Sequence, residues 1–271
     1  MAIITISRGT FAGGEKLESL LAQHLGYRTV SREEVYDRVQ AQYGFKAEEL
    51  AELMEQAPTT RLTNVGERRS RQTLGERRRQ LMVAVQASLC DLLKADDVVY
   101  HGLAGHLLLP GIAHVLRMRV IAPRSKRIEL AMEREGLTRP EAGRKIDQVD
   151  SERARWTQSF FGVNWGDPLL FDVVLNLDSL TFDDVCAVVE HMVSLPRFQT
   201  TESSRKKMAD LALASHVTAR LSCNPATAGL LFDVQADDGV VRVGGMSNKG
   251  DMEWVSKVLQ KIEGVKLVEV I

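Results

Sequence analysis

The chain has 271 residues, 44% hydrophobic and 26% charged, which allows one large domain or two modest ones and excludes disorder. Lys+Arg 35 against Asp+Glu 36 leaves a formal net charge of -1, so no global basic field attracts nucleic acid, which is not an expected partner. Three distant cysteines, Cys90, Cys186 and Cys223, exclude a disulfide framework and a CxxC zinc site.

No apolar stretch approaches the roughly 18 residues needed to span a membrane. The opening MAIITISRGT reaches Arg8 and Gly9 too soon for a secretory core. No transmembrane segment and a cytoplasmic location are expected.

In chain order, Ala2–Ile6 is a β-branched run that ends at Ser7-Arg8-Gly9. From Glu15 the spacing becomes helical through Leu17, Leu20, Leu21 and Leu25, and Gly26 supplies the stop. Helical patterns follow at 33–42, 46–56 and 75–95. Strands are expected at 97–100, 115–121 and 172–176, and helices at 124–136, 139–161 and 181–194. Strands alternating with helices imply a parallel sheet covered on both faces.

The pattern changes after Pro196. Residues 197–204 (RFQTTESS) are polar and aperiodic, as a linker is. A helix at 205–221 precedes two β-rich runs joined at Asp237-Asp238-Gly239, a hairpin signal. A helix near 250–262, Gly264 and a final strand complete an α-β-β-α-β unit. The expected domains are 1–196 and 205–271, with 197–204 between them.

The loop Gly9–Lys16 between the first strand and first helix is the candidate phosphate site, because orphan N–H groups and the helix dipole favour an anion there. Gly9 and Gly14 have the GxxxxGK[ST] separation, but Glu15 stands in the lysine position and Lys16 in the Ser/Thr position. The loop alone is equally compatible with a glycine-rich turn that binds nothing.

Three segments occur in order: ITISRGTFAGGEKLESLLAQHLGY, HGLAGHLLLPGIAHVLRMRVIAP and AMEREGLTRPEAGRKIDQVDSERARWTQSFFGVNWGDPLLFDVVLN. Together they resemble the cytidylate kinase-like family of nucleoside monophosphate kinases over about residues 1–195. The resemblance implies an α/β fold, a P-loop NTPase-like parallel sheet flanked by helices. It also implies ATP and Mg²⁺ as cofactors and CMP or a related monophosphate as acceptor.

Under this resemblance Arg8, Gly9, Thr10, Gly13, Gly14, Glu15 and Lys16 hold the donor. Lys16, Arg124, Arg153 and Arg155 are the catalytic cations, with Arg127 a further lid candidate. Ser31, Arg38, Glu152 and Arg155 face the acceptor, and no protein metal ligand is assigned. Taken singly, each arginine within the mixed-charge stretch 124–155 is equally a solvated surface residue.

Three departures weaken the cationic set. Besides Glu15, the pair after the 97–100 strand is Gly102-Leu103 where the family has Gly-Arg, and Gln148 replaces a usual arginine. Lys16, Arg8 and His101 are the candidate substitutes. A nucleotide-sensing regulator or a scaffold without catalysis is the alternative to a kinase.

Residues 61–80 hold seven Arg and two Glu without interleaved aromatics. They form a solvated helix start, a subunit contact or an acceptor-side anion loop rather than a base-stacking platform. The six histidines show no metal-ligand spacing. Residues 203–271 resemble a BON domain, a small α+β module, which implies a partner, a regulatory ligand or self-association as a homo-oligomer.

Overall fold

The computed structural model describes residues 2–46, 48–50, 65–102, 104–225, 227, 230–245, 255, 258–260 and 262–271, with 65–74 as backbone only. The chain divides into two compact units. One is built on Met1–Arg32 and Ala95–Thr200, and the other on Glu33–Leu53, Thr59–Lys94 and Thr201–Ile271.

In the first unit, β1 (Ile3–Arg8) leads through a glycine loop into α1 (Gly14–Leu25), followed by β2 (Arg28–Ser31). Five parallel strands make the sheet in the order β2-β3-β1-β4-β5. Here β3 is Val98–His101, β4 Val115–Ile121 and β5 Val173–Asn176. The β-branched run at the N-terminus becomes the central strand because it is hydrogen-bonded on both edges and buried on both faces. One face carries Ile4 and Ile6 against Leu17 and Leu21 of α1. Val185, Val189 and Val193 of α7 (Phe182–Ser194) join the same core.

Glycine sets both ends of α1. Gly13 at the N-cap has φ 85° and Gly26 at the C-cap has φ 67°, a left-handed conformation that L side chains rarely adopt.

Between β4 and β5 the chain makes two helices, α5 (Arg124–Glu135) and α6 (Arg139–Phe161), which follow the short α4 (Gly105–Leu108). A capping box fixes the start of α6, with Thr138 bonded to the Glu141 carboxylate at 2.8 and 2.5 Å. Ile128, Ala131, Ala142 and Ile146 form a private core for this pair, and Phe11 of the glycine loop packs against it.

In the second unit, α2 (Arg32–Tyr43) and the long α3 (Val65–Leu93) accompany the C-terminal elements. Helix α3 packs along α8 (Glu202–Ser222), with the Cys90 thiol bonded to Ser215. Tyr43 Oη lies 2.9 Å from His216 Nδ1. A three-stranded sheet, β6 (Asp233–Asp237), β7 (Val240–Gly244) and β8 (Leu267–Val270), closes the chain. Its hairpin turns at Asp238-Gly239 with φ 47° and 83°, the pair of positive values that a two-residue primed turn requires. Val217, Leu221, Val241, Val243, Val255 and Leu259 make the core beneath it.

The elements follow the sequence expectation closely in the kinase-like part, with β3 shifted by one residue and α3 beginning ten residues early. Residues 197–204, expected as a linker, contain a single 3-10 turn and the start of α8. Phe198 is buried in the first unit's core, and the Thr201–Ser204 capping box begins α8. The helix expected at 46–56 is described only at 48–50. The helix expected near 250–262 and the residues of the 61–80 segment before Val65 fall largely outside the described residues.

Candidate functional site

The loop between β1 and α1 is pinned by side chains from α5 and α6. Asp150 of α6 is the hub. Its Oδ1 accepts from the Thr10 N–H at 3.0 Å and the Thr10 hydroxyl at 2.7 Å. Arg127 of α5 bonds the Asp150 carboxylate with Nη2 and donates through Nε to the Thr10 carbonyl at 2.8 Å. Arg153, one turn beyond Asp150, donates to Thr10 Oγ1 at 3.1 Å and the Arg8 carbonyl at 3.4 Å. A Cβ on Gly9 would stand 3.2 Å from the Arg127 guanidinium, so the glycine permits this approach.

The balance of charge is cationic. Around the loop, Arg8, Arg127 and Arg153 meet two carboxylates, Asp150 and, 4.0 Å from Arg8, Glu15, which Arg134 also pairs. Arg153 is pushed down to about 10, first by desolvation and next by the Arg8 charge. Burial also lowers Arg8, against the opposing pull of Glu15. Half-buried guanidinium groups in excess of their counter-ions favour an incoming anion. The start of α1 points the same way. Gly13 provides no side-chain cap, and the first helical bond is Leu17 N–H to the Gly13 carbonyl. The earlier N–H groups, those of Gly14, Glu15 and Lys16, therefore lack intrahelical acceptors.

Neither Phe11 nor Glu15 turns into this space. Phe11, at φ 57°, lies against the α5–α6 core. Glu15 extends outward to Arg134 at 2.8 Å and is 4.0 Å from Arg8, its side chain 62% exposed. The carboxylate in the lysine position is thus paired from α5 by Arg134.

The other expected residues are spread more widely. Lys16 Nζ sits 4.8 Å over the Phe182 ring, turned to α7. Arg124 pairs with Asp147 at 2.6 Å, both largely exposed. Arg155 is exposed and donates to the Ser151 carbonyl of its own helix at 3.3 Å. Two positions beyond Arg153, it faces another side of α6. Glu152 accepts from Gln148 at 3.0 Å, also away from the loop. Ser31 ends β2 in register with His101 of β3. Arg38 lies on α2 in the second unit, 3.9 Å from Asp91. Leu103 is outside the described residues, whereas Gly102 approaches Tyr100 so closely that a Cβ would meet its hydroxyl at 2.4 Å.

Arg119 is the member that residue-by-residue reading missed, while Asp150 stood in the Asp150…Arg153…Arg155 run of the resemblance without a role of its own. Arg119 projects from β4, donates to Ser7 Oγ at 3.2 Å and the Trp165 carbonyl at 3.0 Å, and stacks 4.3 Å from the Trp165 ring. Its signal was that Arg117 and Arg119 stand inside an otherwise apolar strand, where an unpaired guanidinium is costly.

A parallel five-stranded sheet between helices, with a glycine loop feeding the first helix from the central strand, is the fold of a P-loop kinase. Residues 3–179 match the model of the cytidylate kinase-like family, and the chain belongs to that family. It is 24% identical over 188 residues to the cytidylate kinase of Methanopyrus kandleri, covering 69% of this chain and 91% of that relative. A crystal structure of an uncharacterized protein from Eubacterium ventriosum is similar in fold, with TM-score 0.51 and 14% identity over 71% of this chain and 98% of the other.

Proposed function

We propose that the protein transfers a phosphoryl group from ATP to CMP or a related pyrimidine nucleoside monophosphate. The observation that carries the reading is the convergence of the uncapped α1 N-terminus with Arg8, Arg127 and Arg153 around Gly9–Gly14. Such a transfer needs positioning and charge neutralisation more than covalent chemistry. The N–H groups of Gly14 and Glu15 orient the donor phosphates, and the arginines absorb charge that develops on them. Helices α5 and α6 exclude water as they close. Family membership and the name of the archaeal relative support a cytidylate acceptor.

The described residues contain no group of three metal-ligating side chains. The residues present suit a Mg²⁺ ion that arrives on the nucleotide, held by phosphate oxygens and water, as this ion prefers. When bound it neutralises phosphate charge.

A second reading, nucleotide sensing without turnover, is favoured by the outward Glu15 and by Lys16 lying on Phe182. In either case we assign the C-terminal α-β-β-α-β segment a BON-like role in binding a partner or ligand.

Titration with ATP and CMP, with Mg²⁺ present, followed by coupled detection of ADP, tests the proposal. Binding of both with turnover is expected, and Arg153→Ala weakens ATP binding by about tenfold or more, the loss of a charge-assisted contact. ATP binding without turnover selects the sensor, and absence of ATP binding overturns both readings.

A further inference from the structure

His101 is a buried group beside the loop that the arginine network leaves out. It ends β3, in register with Ile6 of β1 and Ser31 of β2. Its side chain is 8% exposed, and its Nδ1 lies 3.3 Å from Glu18 Oε2 on α1. Among the described residues its Nε2 is buried without a hydrogen-bond partner. That nitrogen is directed at the first residue of α1, since a Cβ on Gly14 would stand 3.1 Å from it. Arg8 reaches the same point, with Cγ and Cδ at 2.7 and 2.8 Å from that Cβ position. An orphaned imidazole nitrogen, an uncapped helix start and the half-buried side chain of Arg8 therefore converge on Gly14.

We propose that His101 is a phosphate-binding residue, oriented by Glu18, whose Nε2–H donates to a phosphate oxygen of the nucleoside triphosphate at the start of α1. The inference rests on the reading that this loop holds a polyphosphate, and it names the group that stands in for the absent loop lysine.

The chemistry follows from the two ring nitrogens. A carboxylate beside Nδ1 holds the proton on that nitrogen and fixes the plane of the ring. With no second proton, Nε2 presents a lone pair, which a phosphate oxygen avoids. The donor form is the imidazolium, whose second proton comes from solvent and whose charge is shared between the Glu18 carboxylate and the phosphate. Burying a polar nitrogen without a partner is unfavourable in the free protein, and the ligand supplies that partner. The methylenes of Arg8 lie over the same glycine. An arriving phosphate displaces its methylenes from Gly14 and meets its guanidinium, so the two cations act on one oxyanion. Lys16, held over Phe182, is not needed.

The test uses the full chain with ATP and inorganic tripolyphosphate as probes. Binding is measured by calorimetry for the wild type, His101→Phe and His101→Gln, and the ring nitrogens of His101 are followed by ¹⁵N NMR in the wild type. His101→Phe is expected to weaken both probes by about tenfold or more, the range of a charge-assisted hydrogen bond. His101→Gln, which restores an N–H near the Nε2 position, recovers most of the loss. In the wild type, saturating ATP moves the Nε2 resonance to that of a protonated nitrogen. If the wild type binds ATP while His101→Phe binds it equally well, or while the Nε2 resonance stays in place, the His101 assignment is overturned and the kinase reading stands. If the wild type binds neither probe, both fall. Should His101→Phe not fold, the wild-type resonance decides.

Discussion

His106 shows how a single buried side chain ties stability to pH. It lies in α4 with its ring centroid 4.6 Å from that of Phe171. Burial, and then the charges of Arg119 and Arg117, push the imidazole down to about 4. Arg117 is itself paired with Asp172 at 2.9 Å. The unfolded chain takes up the His106 proton near the ordinary value of about 6.5, while the folded chain refuses it until about 4. Between those limits the unfolded state binds more protons, so stability falls as pH is lowered, by on the order of 3 kcal/mol for this group. Urea unfolding between pH 7 and pH 4 is expected to show that slope, flattened in His106→Leu. An equal slope in the variant assigns the effect to other groups.

At the same scale, the arginines at 153 and 155 show what the sequence conceals. Both stand in a run resembling the family's lid, and composition does not rank them. The helix does. Asp150 and Arg153 are a turn apart and share the face toward the loop, while Arg155 is carried to solvent. Only the packing of α6 on α5, set by Ala142 and Ile146, decides which face is which. Glu15 is a similar case. Its position in the loop was legible, but its neutralisation by Arg134 depends on a helix more than a hundred residues later in the chain.

The α5–α6 pair is the element most closely tied to the glycine loop. It has its own small core, and its links to the rest include Phe11, Arg127, Asp150 and Arg153, all of which end on or near the glycine loop. Loosening the pair is therefore expected to loosen the loop with it. Ile146 is 1% exposed in that core, and Ile146→Ala is expected to cost about 2–4 kcal/mol of local stability. Hydrogen exchange should accelerate across 124–161 and the loop while β1 and β4 keep their protection. Protection lost uniformly throughout the sheet contradicts this separation.

These helices were readable because their ends are chemically marked, by Thr138 with Glu141 and Pro140 at the start of α6 and by Gly136 and Gly162 at the stops. At 197–204 the same chemistry marks a helix start beside the division between the two units, at Thr200–Thr201. Thr201 and Ser204 are polar because they cap α8, and a cap and a linker have similar composition.

At the scale of the molecule, the grouping of elements is not the order of the chain. Helices α2 and α3 come between β2 and β3, yet they belong to one compact unit with α8 and the C-terminal sheet. Hydrophobic periodicity revealed the apolar stripe of α3 at Leu81, Val85, Leu89 and Leu92. It did not reveal the partner, because a stripe specifies burial without specifying what covers it. Leu81, Val85 and Leu89 are almost completely buried, and α8 supplies part of that cover. Truncation after Thr200 is expected to leave β1, β3 and β4 protected in hydrogen exchange while α3 loses protection and the fragment self-associates through the bared stripe. Unchanged protection of α3 in the fragment refutes the dependence.

The packing of α3 on α8 has one more consequence. Helices α3 and α8 share one core with the three-stranded sheet at the end of the chain. A molecule that stiffens that sheet therefore lowers the conformational entropy left in α3 as well, although about 140 residues separate the two in sequence.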